Sequence, residues 1–133
     1  MTQYIIAYIA SGVVFIIFDL LWLGVIGKDL YASKLGSLMT ENIVIPAAGL
    51  FYCMYLAGIL LFAIHPALQT GSWKTAMVWG ALFGFFTYAT YELTNWAVIR
   101  DWPASLVAID ILWGVVLTSA VATTAYLITK LFI

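Results

Sequence analysis

Four apolar runs, at about residues 3–26, 43–64, 73–99 and 104–131, govern what this chain can become. Crossing roughly 30 Å of hydrocarbon takes about 20 apolar residues in a helix, so each run is long enough to span a bilayer. Hydrocarbon offers the backbone no hydrogen-bond partner, which leaves only helices and closed barrels. A barrel strand alternates apolar and polar residues, and these runs do not alternate. The expected fold is therefore an all-α four-helix transmembrane bundle forming a single domain over residues 1–133. Charged residues make up 8% of the chain, against about 25% in soluble domains. No Lys or Arg precedes the first run and no small-residue cleavage site follows it, so it reads as a retained helix rather than a signal peptide.

Composition excludes several functions. Five Lys/Arg and a net charge of -1 cannot neutralise a phosphate backbone, so no nucleic-acid partner is expected. Cys53 is the single cysteine and forms no intrachain disulfide. No Gly-rich phosphate loop occurs, and no His–Ser or His–Cys pairing suggests a nucleophilic hydrolase. No cofactor is expected. Carboxylates with Asn95 would suit a hard cation such as Mg²⁺ or Ca²⁺. Neither His65 nor Cys53 is placed to join them, and no metal site is expected.

The connections set the topology. Residues 27–42 hold Lys28, Asp29, Lys34 and Glu41, with Leu30, Tyr31, Leu35, Leu38 and Met39 at near-helical spacing. This segment is either a short amphipathic helix in the interface or a polar loop. Pro46 falls in the first turn of the second helix, where its missing N–H is harmless. Residues 65–72 read as a Pro- and Gly-containing turn. Residues 100–103 form a link so short that the third and fourth helices are antiparallel neighbours, with Asp101 as a helix-start signal.

Three carboxylates lie inside the apolar runs: Asp19, Glu92 and Asp110. Each is costly in a membrane unless it faces protein or a wet cavity. At 1.5 Å per residue, Asp19 lies roughly 13 Å from Lys28, Glu92 roughly 12 Å from Arg100, and Asp110 roughly 10 Å from Pro103. With four alternating spans, all three fall toward the same membrane face at a shared depth. Gly80, Gly84, Tyr88, Tyr91, Glu92 and Asn95 share one helix face, and Gly80 and Gly84 form a GxxxG contact. Asp19 is followed one turn on by Trp22, and Asp110 by Trp113. The candidate ligand- or proton-binding residues are Asp19, Glu92, Asn95, Asp110, Tyr88, Tyr91, Trp22 and Trp113. The plain alternative is that the glycines and tryptophans only pack, and the acids form a structural hydrogen-bond network.

These residues resemble a known family. Tyr91-Glu92-Leu93-Thr94-Asn95, Asp101-Trp102-Pro103 and Asp110-Ile111-Leu112-Trp113-Gly114 are similar to motifs of small bacterial integral membrane proteins known only as a domain of unknown function. Phe18-Asp19-Leu20-Leu21-Trp22 and the stretch from Pro46 to Tyr52 fit the same pattern. Members typically have Asp where Glu92 stands. The resemblance implies four spans and a multi-pass place in a bacterial inner membrane, groups the acidic positions, and supplies no reaction.

Three functions follow as expectations. The first is a binding or transport protein for a cation, a proton or a small amine-bearing solute. The second is a membrane enzyme acting on a lipid or other apolar substrate, with Glu92 or Asp110 as general acid/base. The third is a structural or accessory subunit. The lipid bilayer is the one partner the sequence requires, and a homo-oligomer is an arrangement open to so small a bundle.

Overall fold

The computed structural model describes all residues from Met1 to Ile133 except the side chain of Ile26. Among the described residues the regular structure is entirely helical. Helix α1 runs Thr2–Leu21 and continues through a widened π-helical turn, Trp22–Ile26. Helix α2, Lys28–Leu35, ends in a 3₁₀ turn, Gly36–Leu38. Helix α3, Ile45–Ile59, passes through a second π-helical turn, Leu60–Ile64, into α4, His65–Thr70. Two long helices follow, α5 (Trp73–Val98) and α6 (Ala104–Leu131).

Three of these rods are long and apolar enough to cross a membrane: Thr2–Val25, Ile45–Thr70 and Ala104–Leu131. The fourth expected span, α5, has 26 residues but is less apolar. It carries Lys74, Thr87, Thr90, Thr94, Glu92 and Asn95. The segment of residues 27–42 resolves in favour of a helix in its first half.

Two local expectations are corrected. The chain does not turn at residues 65–72; the helix continues to Thr70, and only Gly71 and Ser72 reverse it. Pro66 has no N–H to give the Phe62 carbonyl, and its ring would crowd that group in a regular helix. The wider π-helical turn just before it, closed by the His65 N–H on the Leu60 carbonyl, accommodates the ring without breaking the rod. Gly71 then stops the helix at φ 68, its N–H on the Ala67 carbonyl at 2.8 Å. Asp101 does not cap α6, whose cap position is Pro103 with no side-chain bond. Asp101 instead takes φ 62, a left-handed conformation that Asp tolerates better than most residues. That kink folds Trp102 back toward α5.

Helix α6 is the central element. Its buried residues include Leu106, Leu117, Val121, Ala122 and Ala125, and it packs against α5 along its length and against α1. The α5–α6 seam is made of small residues. A Cβ added at Gly80 would stand 2.9 Å from Ala122 Cβ and from the Thr118 carbonyl. One added at Gly84 would strike the Gly114 carbonyl and stand 2.8 Å from Thr118 Oγ1. Backbones therefore meet directly, which is how helices gain dispersion contact in lipid.

Helix α3 joins the bundle only by its C-terminal half. Tyr55, Gly58 and Ile59 are buried, with Gly58 receiving the ring of Phe83. Its N-terminal half leans away, and Ile45, Leu50, Phe51 and Met54 are exposed. Splayed in this way, α3 leaves a cleft on each side, one toward α1 and one toward α5.

The glycine seam makes a direct prediction. Gly84→Ala should lower stability by about 1–3 kcal/mol, the usual cost of overpacking, because the groups it meets include backbone that cannot step aside. Gly36→Ala, where nothing lies within 4 Å, should be silent. Unfolding in mixed detergent micelles reads both; equal effects would contradict a backbone-to-backbone seam.

Candidate functional site

The α5–α6 seam brings two carboxyls together. Glu92 and Asp110 are 1% and 6% exposed, and their carboxyl groups stand at hydrogen-bonding range of each other. Ionised carboxylates are acceptors only. The pair can make that bond only with at least one proton on it, so the two carboxyls are not both ionised while it forms.

Neutral donors surround the pair. The Trp102 indole N–H donates to Glu92 Oε2 at 2.8 Å, through the turn that Asp101 makes possible. The Tyr31 hydroxyl donates to Asp110 Oδ1 at 2.6 Å. Tyr31 in turn accepts from the Trp22 indole N–H at 2.9 Å. Helix α2 is thus tied beneath the end of the bundle by one phenol. Burial and the bond to Asp110 push the Tyr31 hydroxyl well above the usual phenol range.

Gly27 allows this approach. A Cβ there would lie 2.9 Å from the Tyr31 ring and 3.1 Å from Trp22 Nε1. No Lys or Arg is buried beside the pair: Lys28, Lys34, Lys74, Arg100 and Lys130 are all exposed at helix ends or in connections.

Asp110 also lines a cavity of about 350 Å³ together with Phe51, Tyr55, Thr87, Tyr88 and Tyr91. Its walls come from α3, α5 and α6. Its mouth lies in the cleft where α3 leans from α5, flanked by the half-exposed rings of Phe51 and Tyr91. Two walls are held firmly. The Tyr55 hydroxyl is bonded to Thr118 Oγ1 at 2.6 Å and Thr87 Oγ1 at 3.2 Å. The Tyr88 ring lies flush on Gly114, where any side chain would collide with it.

Asp19 stands apart from this pair. It accepts from the Tyr52 hydroxyl at 2.8 Å and faces the other cleft, of about 300 Å³, with Phe15, Ile16, Leu20 and Leu56. Trp22 and Trp113 stack on each other at 4.4 Å and 9°, and neither lines the aromatic cavity. Asn95 is half-buried one turn beyond Tyr91. Among the described residues no group of three or more His, Cys, Asp or Glu could hold a metal ion. His65 lies at the opposite end, its Nδ1 3.0 Å from the Tyr4 hydroxyl, and Cys53 is exposed on α3.

Sequence reasoning missed Tyr31, Tyr52, Tyr55, Thr87, Phe51 and Trp102. Trp102 reads as an interfacial tryptophan, and Tyr31 as one more apolar residue of a connection. The spacing of Tyr52 and Tyr55, one helical turn apart, was the one signal available.

Apolar helices and carboxyls held inside them define a helical membrane protein. Residues 4–127 match the model of a family described as "Predicted membrane protein (DUF2177)". The chain belongs to that family. No curated protein and no solved structure matches it.

Tyr31→Phe should leave the Trp22 indole and Asp110 Oδ1 short of a partner, at about 1–3 kcal/mol, and speed hydrogen exchange across Lys28–Leu38. Because folding raises this phenol, the native state keeps a proton that the unfolded chain releases first. Its contribution to stability is therefore complete below about pH 10 and is lost above it. Wild type should lose stability above that pH more steeply than Tyr31→Phe; parallel profiles would contradict the bond.

Proposed function

We propose that the chain crosses a cell membrane four times, with α5 as the additional span, and binds a cationic amphiphile inside the bilayer. The observation that carries this reading is Asp110, which lines an aromatic cavity with Glu92 against it; the reading takes the pair to hold one proton and one negative charge. A net charge in a medium of low dielectric calls for an opposite charge, and no side-chain cation of the chain supplies it. The cleft between α3 and α5 gives access from the lipid, so a ligand keeps its apolar body in hydrocarbon and brings its head to Asp110. The volume falls at the small end of the range for ligand pockets, about 300–1,000 Å³. This supports binding of one head group and not of a whole lipid.

A second reading is favoured by the carboxyl pair itself. Two carboxyls sharing a proton form a donor and an acceptor side by side, the equipment of general acid/base chemistry on a bound lipid.

Calorimetric titration in nanodiscs, corrected against empty discs, tests the binding reading. A hexyl cation, whether hexylammonium or hexyltrimethylammonium, should bind at least tenfold more tightly than hexanol. Asp110→Asn should abolish that advantage. Glu92→Gln keeps the Asp110 charge and should retain it, whereas acid/base chemistry would be lost in either variant. Equal binding of cation and alcohol by the wild type would sink the reading.

A further inference from the structure

We infer that the head group taken by the aromatic cavity is an N-alkylated ammonium, such as a trimethylammonium, in preference to a primary ammonium. This rests on the reading of the cavity as a cation site and specifies which cation fits it.

The lining is the first reason. Four of the six residues, Phe51, Tyr55, Tyr88 and Tyr91, present aromatic rings, against one carboxyl and one threonine. Tyr55 and Tyr88 meet at 6.2 Å between centroids and 75° between planes, the corner of a box. Phe51 extends the Tyr55 wall at 5.5 Å and 33°. The negative face of an aromatic ring attracts a cation without needing a hydrogen from it, and several such faces around one carboxylate suit an alkylated nitrogen.

Hydrogen-bond accounting is the second reason. A primary ammonium carries three N–H donors, and each one left unmet in a dry site is costly. The Thr87 hydroxyl already donates to the Phe83 carbonyl at 2.7 Å, and the Tyr55 hydroxyl is engaged with Thr118 and Thr87. To use all three donors, a primary ammonium must aim them together at Asp110 and at hydroxyl oxygens that already hold other bonds, in a lining that is otherwise aromatic. A trimethylammonium has no donor to satisfy and presents methyl groups to the rings.

Rigidity is the third. The glycine at 114 seats Tyr88 and the two threonines fix Tyr55, so neither wall has to be ordered by the ligand.

The test uses the full chain in nanodiscs with hexyltrimethylammonium, hexylammonium and hexanol as probes. Hexyltrimethylammonium should bind about five- to tenfold more tightly than hexylammonium, between the ranges of exposed and desolvated cation–π contact. Phe51→Ala should erase that preference and Phe51→Trp should keep it. Phe51 is half-exposed at the mouth, so both variants should fold, and unchanged melting confirms it; Phe51→Leu serves if the alanine variant does not. Hexylammonium binding as tightly or more tightly, still dependent on Asp110, would overturn the head-group assignment and leave the cation reading standing. A trimethylammonium preference indifferent to Phe51→Ala and Phe51→Leu would overturn the cage. Hexanol matching both cations would remove the underlying reading as well.

Discussion

The close approach of α5 and α6 is the contact on which the rest depends. Lipid tails are as apolar as leucine, so association within a membrane gains little from burial alone and relies on packing. Gly80, Gly84 and Gly114 remove the side chains that would hold the two backbones apart. The consequence lies one to two turns beyond the seam. Glu92 and Asp110 are carried on these closely packed helices and are buried against each other. Gly114 has two roles here, since it accepts the Gly84 backbone on one side and the Tyr88 ring on another. Packing and site are thereby the same set of residues.

The looseness of α3 is permitted by the same medium. In water, a helix half with Ile45, Leu50, Phe51 and Met54 exposed would be a liability. In hydrocarbon those side chains meet an equivalent solvent, and the helix satisfies its own backbone. Splaying therefore costs little, and α3 is held to α1 by the Tyr52–Asp19 bond and by the Tyr8 hydroxyl, which donates to the Cys53 carbonyl at 3.1 Å. The π-helical turn before Pro66 lies beyond the packed residues Tyr55, Gly58 and Ile59, so the leaning half parts from the bundle along unbroken α-helix. The cleft is therefore built into the course of the rod and needs no loop to form it.

The legible part of the fold was everything governed by length and period. Apolar runs gave the long helices, the spacing of Gly80 and Gly84 gave a contact face, and counting residues from the helix ends set Glu92 against Asp110. Depth can be read from sequence because a helix rises by a fixed amount per residue. The direction in which each helix turns about its own axis, relative to its neighbours, has no such ruler. That is why Asp19 could be set at the level of Asp110 without revealing that Tyr52 claims it, and why Trp22 and Trp113 gave no sign of stacking. Continuation through Pro66 depends on a widened turn that leaves no mark in composition. The bend at Asp101 depends on a positive φ, which an Asp permits without announcing.

A purely structural network makes a different demand on these groups from a binding site. Structure alone is served when every buried donor and acceptor is matched and the charge is neutralised. The acids here meet the first condition through Trp102, Tyr31 and Tyr52. No side chain meets the second, because every one of those donors is neutral and the chain's Lys and Arg residues all stay at its periphery; protons alone can neutralise the acids. An Asn or Gln would accept the same bonds without placing charge in hydrocarbon. The carboxyl at position 110 is therefore more than hydrogen bonding requires, and under the proposed reading its surplus is a negative charge beside the aromatic cavity. Under the proposed reading, a group that costs stability in the empty protein would gain it back on binding a cation, and the binding experiment measures that difference.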